Sequence, residues 1–188
     1  MVTAAGFVLA GGRSSRMGRD KALLPWQGST LLEAAAAKVR QAAGNVTILG
    51  PPQLYGRLGF PVLADRVPDC GPLGGLDAAL ATTEADWNLL VACDMPALTA
   101  DLLTRLLAAA SRCGADALVP QITQEDDIRW EPLCAVYHHR LAAATESALR
   151  LKCFKMQDFV SEIGACPWPA PEPALFANWN RPHDLALR

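Results

Sequence analysis

Short apolar runs alternate along the chain with longer segments that are rich in Ala and Leu. The short runs end at turn residues, which is typical of buried strands, whereas the Ala- and Leu-rich segments favour helices. Because strands and helices alternate at these lengths, the pattern predicts a three-layer α/β fold, in which helices cover both faces of a Rossmann-like, mostly parallel sheet. The predicted strands are residues 6–10, 46–49, 60–63, 87–92, 117–120 and 133–137.

Capping residues define the ends of several predicted helices. Thr99 stands where a helix N-cap is needed, and Gly44 follows an Ala-rich segment as a helix stop. The Pro-rich stretch 167–173 predicts a surface connection, and residues 176–180 predict a short extended segment. The predicted helices are residues 31–43, 74–83, 100–111 and 141–151, with a last one from Pro182.

Length and charge narrow the class of protein. The 188 residues suit one α/β domain spanning 1–188, and the 51% of apolar residues are enough for a substantial core. A formal net charge of −2 without a long basic run argues against nucleic-acid binding. The longest apolar runs, such as 87–93, are too short to span a membrane, and the N-terminus lacks the basic start of a signal peptide.

The cysteines and histidines show no metal-binding pattern. No CxxC pair occurs, and neither residue type has the spacing of a zinc site. We therefore expect reduced thiols that act as small core residues, as in a cytoplasmic protein. The six cysteines are Cys70, Cys93, Cys113, Cys134, Cys153 and Cys166.

A glycine- and arginine-rich loop follows the first predicted strand, at the edge where open α/β sheets bind their ligands. Gly11 and Gly12 lack Cβ atoms, so their backbone N–H groups can approach phosphate oxygens closely. Arg13, Arg16 and Lys21 add cationic donors for a polyphosphate. The loop matches neither the Walker motif nor the dinucleotide motif GxGxxG, and the alternative is an ordinary surface loop.

Two aspartates follow predicted strands and would lie at the same edge of the sheet. Asp94 follows the buried run 87–92 after Cys93, where it can hold Mg²⁺ together with triphosphate oxygens. Asp65 follows the strand 60–63 and can contribute a second polar group. A loop or capping role is the alternative for Asp94, and a turn role for Asp65.

Two weaker motifs also carry candidate ligand contacts. The segment 71–76 reads GPLGGL, whose glycines allow a helix to approach either a flat ligand or the neighbouring sheet. Asn178 and Asn180 share one face of an extended segment, so they suit recognition of a polar acceptor. Capping of the helix from Pro182 is the alternative for this pair.

Taken in order, these motifs resemble those of the molybdenum cofactor guanylyltransferases, and the resemblance extends over nearly the whole chain. That family has the nucleotide-diphospho-sugar transferase fold, in which a Rossmann-like sheet contains one antiparallel strand. The matching segments are Leu9-Ala10-Gly11-Gly12, Arg16-Met17-Gly18, Asp20-Lys21, Gly71-Pro72-Leu73, Asp94-Met95-Pro96 and Asn178-Trp179-Asn180.

The resemblance implies a role for each matching residue. Lys21, Arg16 and Asp94 would act in catalysis, and Asp94 would also bind Mg²⁺. Asn178 and Asn180 would hold a molybdopterin acceptor. The residues expected to bind GTP are Leu9, Ala10, Gly11, Gly12, Lys21, Asp65 and Asp94.

The sequence also departs from the family pattern. A Thr-Pro-Glu-Asp segment is replaced by residues 181–184, which read RPHD, and Glu131 replaces a histidine before a proline. Leu49-Gly50-Pro51 stands where the family often has an Asn. The related cytidylyltransferases usually carry LAAG, so the LAGG of this chain favours guanine.

The resemblance thus implies a cytoplasmic, Mg²⁺-dependent enzyme that moves GMP from GTP to molybdopterin and releases pyrophosphate. Transient contact with other proteins of cofactor biosynthesis is expected, but none with nucleic acid or membrane. The alternatives are a cytidylyltransferase, a nucleotidyltransferase for another phosphorylated small molecule, such as a sugar phosphate, and a non-catalytic nucleotide-binding regulator.

Overall fold

A mixed sheet forms the middle layer of the molecule. The computed structural model describes residues 3–10, 20–124 and 127–179, so the predicted helix from Pro182 lies outside the described residues. The strands are β1 (Ala4–Leu9), β2 (Pro25–Trp26), β3 (Ser29–Thr30), β4 (Thr47–Leu49), β5 (Val62–Leu63), β6 (Trp87–Ala92), β7 (Ala117–Gln124), β8 (Asp127–Trp130), β9 (Cys134–His138) and β10 (Cys166–Pro169).

The strand order of the main sheet is β10-β7-β9-β6-β1-β4-β5, with β8 paired to β7. The strands β6, β1, β4 and β5 run parallel to one another, so their carboxyl ends meet at one edge. The strand β9 is antiparallel to both β6 and β7, and β8 is antiparallel to β7, so the sheet is mostly parallel as expected but contains two antiparallel strands where the family resemblance implied one. Because it is antiparallel, β9 begins at the edge where β6 ends.

Helices cover both faces of this sheet. Neighbouring residues of β1 show the division, since Val8 packs in one hydrophobic layer and Phe7 in the other. The two layers confirm the predicted three-layer architecture. The helices are α1 (Leu31–Ala43), α2 (Pro52–Tyr55), α3 (Gly71–Thr82), α4 (Ala100–Ala110), α5 (Ala142–Arg150) and α6 (Met156–Glu162).

Local capping explains where the longer helices begin and end. The Thr30 hydroxyl accepts from the Glu33 N–H, and the Glu33 carboxylate accepts from the Thr30 N–H, which together form a capping box for α1. Gly44 ends α1 with a φ of 80°. Thr99 caps α4 by accepting from the Leu102 N–H at 3.2 Å, as the sequence predicted.

Several elements differ from the sequence prediction. The Pro-rich stretch predicted as a surface connection begins with β10, which lies at the edge of the sheet, where a missing proline N–H is tolerated. Phe176 belongs to a 3₁₀ turn, Pro173–Phe176, and not to an extended segment. The strands β2, β3 and β8 and the helices α2 and α6 were not predicted, because each is short or lacks a clear periodicity.

All six cysteines lie in the described part of the chain, and each is a free thiol, as predicted. Cys70, Cys93 and Cys134 are buried, whereas Cys153 is exposed and is therefore not a core residue. None of the helices in the described ranges has the length and apolarity needed to cross a membrane.

Gly50 follows β4 at a point where backbone and side chain crowd together. A Cβ at this position would overlap the carbonyl oxygen of Ala10 and lie 2.8 Å from a ring carbon of Tyr55. We expect Gly50→Ala to lower the free energy of unfolding by about 1–3 kcal/mol, since the backbone must shift to make room. Chemical denaturation measures the change. The control is Gly56→Ala, whose Cβ would meet nothing within 4 Å; equal stability of the two variants would contradict the prediction.

Candidate active site

The carboxyl edge of the parallel strands brings Lys21 and Asp94 together. The Lys21 Nζ donates to Asp94 Oδ2 at 3.0 Å, although the two residues are far apart in sequence. Their side chains retain 17% and 26% of their exposure, so both remain accessible to a ligand. The predicted meeting of the loop after β1 with the aspartate after β6 is therefore confirmed at Lys21.

Lys21 begins a short 3₁₀ helix, Lys21–Leu23, whose N-cap is Asp20. Asp20 Oδ1 accepts from the Ala22 N–H at 3.0 Å, and Asp20 Oδ2 accepts from the Tyr55 hydroxyl at 2.6 Å. Both carboxylate oxygens are thus engaged, which fixes the turn from which Lys21 projects.

The backbone around Asp94 is also held by long-range contacts. The Lys38 ammonium group of α1 donates to the Pro96 carbonyl oxygen at 2.6 Å, and burial lowers the pKa of this lysine. The Trp179 N–H donates to the Asp94 carbonyl oxygen at 2.9 Å. The Trp179 ring packs edge-on against Trp26, with the ring centroids 4.7 Å apart. These contacts fix the position from which the Asp94 carboxylate projects.

Leu9 ends β1 beside this pair, and Ala10 follows it. The Ala10 N–H donates to the Leu49 carbonyl oxygen, and the Leu9 carbonyl oxygen accepts from the Cys93 N–H. The sheet therefore continues up to the start of the glycine loop. The predicted ligand-binding residues of that loop lie outside the described residues; they are Gly11, Gly12, Arg13 and Arg16.

Asp65 lies after β5, at the same edge of the sheet but on the far side of β4 from Asp94. Burial raises the pKa of its carboxyl group, and the negative charge of Asp77 adds to the effect. Asp77 itself is buried on α3, where it accepts from the Thr145 hydroxyl at 3.2 Å and lies 3.4 Å from the Arg66 guanidinium group. No pattern in the sequence indicated this neighbouring carboxylate.

The glycine-rich segment 71–76 forms the start of α3. A Cβ on Gly75 would lie 2.5 Å from Leu9 Cδ2, and a Cβ on Gly74 would lie 3.4 Å from Asp65 Oδ2. Of the two predicted roles, the described contacts thus support close packing of the helix on the sheet.

Asn178 lies next to Trp179 and hence beside the Asp94 backbone. Its side-chain Oδ1 is buried and has no hydrogen-bond partner among the described residues. Such an acceptor is suited to a donor group on a ligand. Asn180, the second predicted amide, lies outside the described residues, so the expected common face of the two amides is not tested.

Glu131 is a buried acidic residue that was noted in the sequence only as a departure from the family. It lies just before the first residue of β9. This end of β9 pairs with the end of β6 that precedes Asp94. Burial raises the pKa of the Glu131 carboxyl group; the nearby Arg129 guanidinium group and the Leu133 N–H oppose the shift, and Asp94 adds to it. The Arg129 Nη2 lies 3.9 Å from Glu131 Oε2.

We expect Glu131→Gln to raise Tm at pH 7 and to have a smaller effect near pH 4. A carboxyl group whose pKa is raised in the folded state stabilises the protein below its unfolded pKa, and this contribution is lost as the pH rises through the folded pKa. Thermal melts from pH 4 to pH 8 measure the effect, with Glu162→Gln, an exposed position, as the control. A Glu131→Gln variant that is destabilised equally at both ends of this range would show that the carboxylate is not strained by burial.

The donor atoms at the rim fit a hard cation that is shared with phosphate. Asp94 offers carboxylate oxygens beside a cationic lysine, and Mg²⁺ often takes only one or two carboxylates while phosphates and waters complete its shell. The neighbouring thiol of Cys93 is poorly suited to bind a cation, because it is buried and burial raises its pKa to about 12. Asp94 is thus suited to a metal that enters with a nucleotide.

A second group of possible metal ligands lies at the opposite edge of the sheet, where Asp86, His138 and His139 have donor atoms within 4.8 Å of one another. The Arg140 N–H donates to His138 Nδ1, which places the proton of the neutral ring on Nε2. Asp86 Oδ2 already accepts from the Thr3 N–H and hydroxyl. One oxygen of Asp86 and one nitrogen of His138 are therefore already engaged by the protein itself.

Comparison with known proteins gives one consistent family. Residues 6–163 match the family described as MobA-like NTP transferase domain. The chain is 41% identical over 184 residues to a molybdenum cofactor guanylyltransferase of Xanthomonas euvesicatoria pv. vesicatoria (strain 85-10), covering 95% of this chain and 90% of that protein. It is 37% identical to a probable molybdenum cofactor guanylyltransferase of Deinococcus radiodurans, covering 95% of this chain and 90% of that protein.

Solved structures share the fold. Molybdopterin-guanine dinucleotide biosynthesis protein A from Archaeoglobus fulgidus superposes with a TM-score of 0.81 at 25% identity, covering 97% of this chain and 95% of that one. A 2-C-methyl-D-erythritol 4-phosphate cytidylyltransferase from Thermus thermophilus has a TM-score of 0.71 at 21% identity, covering 96% and 95%. At that identity the second likeness concerns the fold alone.

Proposed function

Because this chain belongs to the MobA-like NTP transferase family, we propose that it transfers GMP from GTP to a molybdopterin acceptor in a reaction that depends on Mg²⁺. Membership of the family makes it a nucleotidyltransferase. The nucleotide, the acceptor and the metal are the proposed parts. Relatives named molybdenum cofactor guanylyltransferase, identical to this chain at up to 41%, support the guanine nucleotide and the cofactor pathway.

The observation that carries the proposal is the contact between Lys21 and Asp94 at the carboxyl edge of the sheet. A triphosphate needs positive charge close to its oxygens, and a divalent cation needs a carboxylate within reach of the same oxygens. The 3.0 Å contact brings both kinds of group to one point, directly beside Leu9 and Ala10. Mere nucleotide binding does not need the carboxylate.

In the proposed reaction the terminal phosphate of the acceptor attacks the α-phosphorus of GTP in line. A new P–O bond forms as the bond from the α-phosphorus to the bridging oxygen of the β-phosphate breaks, and pyrophosphate leaves. A phosphate dianion is already nucleophilic near neutral pH, so the protein need not remove a proton. Positioning and charge neutralisation supply most of the rate enhancement in such reactions.

Each candidate residue has a limited task in this scheme. Lys21 would neutralise phosphate oxygens as negative charge moves onto the pyrophosphate, and Arg16 is expected to assist from the glycine loop. Asp94 would hold the Mg²⁺. The bound metal would supply further charge neutralisation on the phosphates.

The acceptor is expected at the side of the site where Asn178 lies. The Oδ1 atom of Asn178 is buried, has no described partner, and stands one residue from the contact to the Asp94 backbone. An N–H donor on the acceptor would satisfy this oxygen. Asn180 is proposed to act with it.

A substrate panel tests the proposal. Pyrophosphate release is measured with each of the four nucleoside triphosphates and Mg²⁺, with and without molybdopterin, and we expect release only with GTP and molybdopterin together. Release with CTP in place of GTP would favour the cytidylyltransferase alternative. Release with GTP and a different phosphorylated acceptor would identify another guanylyltransferase.

Ligand binding provides a readout that does not depend on turnover. GTP at a hundred times its Kd should stabilise the folded state by about 2.7 kcal/mol, which raises Tm. CTP at the same concentration should raise Tm much less. Omission of Mg²⁺, with EDTA present, should reduce the effect of GTP if the nucleotide binds together with the metal. Stabilisation by GTP without any turnover would favour a regulator over an enzyme.

A further inference from the structure

We infer that Tyr55 and Asp20 are positioning residues, which set the place of the Lys21 ammonium group in the site. The inference rests on the proposed function and adds a pair of residues to it. In the sequence, Asp20 was noted only as part of the Asp20-Lys21 match, and Tyr55 was not a candidate. Three consecutive contacts carry the argument, from Tyr55 to Asp20, through the turn to Lys21, and from Lys21 to Asp94.

The first contact is short and buried. Tyr55 is fully buried, and its hydroxyl group donates to Asp20 Oδ2 at 2.6 Å. Hydrogen bonds to a carboxylate are stronger than those between neutral groups, and a buried hydroxyl group without a partner is costly. Burial and this hydrogen bond both raise the pKa of Tyr55, so the phenol stays protonated and remains a donor. The Tyr55 hydroxyl therefore holds the Asp20 carboxylate in one orientation.

The second contact transfers this orientation to the backbone. Asp20 Oδ1 accepts from the Ala22 N–H at 3.0 Å, which caps the 3₁₀ helix that contains Lys21. Because the two oxygens of one carboxylate face Tyr55 and Ala22, the cap cannot rotate without loss of a hydrogen bond. The backbone of Lys21, the first residue of this helix, is thereby fixed by the Asp20 cap.

The third contact is the one the site uses. From the fixed turn, the Lys21 Nζ reaches Asp94 Oδ2 at 3.0 Å. A displacement of about 1 Å in a catalytic group can cost as much as 10²-fold in rate. Loss of the Tyr55 hydroxyl would free the cap rather than remove Lys21, so we expect a smaller loss.

The approach of Tyr55 to this site is built into the loop after β4. Pro52 begins the single turn of α2 that ends at Tyr55, and Gly50 leaves the space into which the Tyr55 ring packs. A phenylalanine at position 55 would fill the same space, so the hydroxyl group is needed only for its contact with Asp20. This separates positioning from packing.

The test compares Tyr55→Phe and Asp20→Asn with the wild type in the pyrophosphate-release assay. We expect each variant to lower kcat/KM for GTP by about tenfold. The control is Tyr137→Phe, which removes the other buried tyrosine hydroxyl group. That hydroxyl group donates to the Pro132 carbonyl oxygen at 2.8 Å, and not to a residue of the turn that contains Lys21. The control should keep wild-type kcat/KM, although its Tm should fall about as much as that of Tyr55→Phe.

A double-mutant cycle with Lys21→Ala separates positioning from a general effect on the fold. If Tyr55 acts through Lys21, Tyr55→Phe should have almost no further effect on kcat/KM once Lys21 is absent. An equal loss of kcat/KM in the wild-type and Lys21→Ala backgrounds would overturn the inference. Wild-type kcat/KM for both Tyr55→Phe and Asp20→Asn would also overturn it. Either result would leave the proposed function in place. If Tyr55→Phe does not fold, the same cycle is measured with Asp20→Asn and Lys21→Ala. A wild-type enzyme that releases no pyrophosphate from GTP and molybdopterin would instead refute the proposed function.

Discussion

Asp94→Ala is expected to lower kcat by about 10²–10³-fold without unfolding the protein. The carboxylate lies at the end of β6, retains 26% of its exposure and forms its described ion pair with Lys21. Its loss would remove the proposed ligand of Mg²⁺ and leave the Lys21 charge without this partner. Because the backbone of Asp94 is held through its carbonyl oxygen by Trp179, the side chain can be removed without loss of that contact. Pyrophosphate release and a thermal melt measure the two effects.

Two further variants separate charge from shape at this position. Asp94→Asn keeps the size of the side chain but lacks the negative charge, so it should lose nearly as much activity as Asp94→Ala. Asp101→Asn removes a nearby carboxylate that is 80% exposed on α4, and it should retain full activity. Wild-type kcat in Asp94→Asn would show that the carboxylate does not hold a catalytic metal. A titration with Mn²⁺ in the presence of GTP, followed by electron paramagnetic resonance, should show weaker metal binding in both Asp94 variants.

Lys21→Ala should also reduce turnover by about 10²–10³-fold. The Lys21 ammonium group contacts the Asp94 carboxylate, and the leaving pyrophosphate gains negative charge during the proposed transfer. If Lys21 contacts the phosphates equally in the ground and transition states, the loss will appear in KM for GTP; if its contact strengthens during transfer, the loss will appear in kcat. Steady-state kinetics with varied GTP distinguish these outcomes.

The fold should tolerate loss of Lys21, since partly exposed ion pairs add little to stability, commonly about 0–1 kcal/mol. Lys155→Ala is the matched control, because this exposed lysine lies before α6 and has no proposed ligand. The double variant Lys21→Ala/Asp94→Ala should be far less impaired than the product of the two single effects, because the two residues act on the same phosphates. Strictly multiplicative losses would indicate that Lys21 and Asp94 serve separate steps.

The sequence located Asp94 because its signal is local. A run of apolar residues followed by an aspartate predicts a buried strand that ends in a carboxylate, and β6 begins and ends at the predicted residues. The same reasoning located the glycine loop after β1. The contact of Lys21, which follows this loop, with Asp94 was expected from the rule that parallel strands present their carboxyl ends at one edge.

Edge and short elements were harder to predict. The two prolines of β10 argue against a strand, yet its outer position at the edge of the sheet needs fewer N–H donors. The turn between β2 and β3 uses Gln27 and Gly28 at φ values of 46° and 82°, and a Gln-Gly pair is a weak hairpin signal. Such elements depend on neighbours that the local pattern does not reveal.

The contacts that position the site were missed for the same reason. Tyr55, Lys38 and Glu131 are each distant in sequence from the residues they serve or adjoin. A tyrosine that follows a Pro-Pro-Gln-Leu segment gives no indication that its hydroxyl will reach Asp20. A lysine within an amphipathic helix suggests a solvated face, whereas Lys38 is half-buried and holds the Pro96 carbonyl oxygen.

By itself the sequence determined the alternation of strands and helices and the positions of the glycine-rich segment after β1 and of the aspartate after β6, because hydrophobic patterning and turn residues act over a few positions along the chain. Only the tertiary structure decided which side chains fix Lys21, which glycines serve packing, and where a buried carboxylate adjoins Asp94. Those features depend on burial and on hydrogen bonds between residues that meet only when the sheet and its covering helices have assembled.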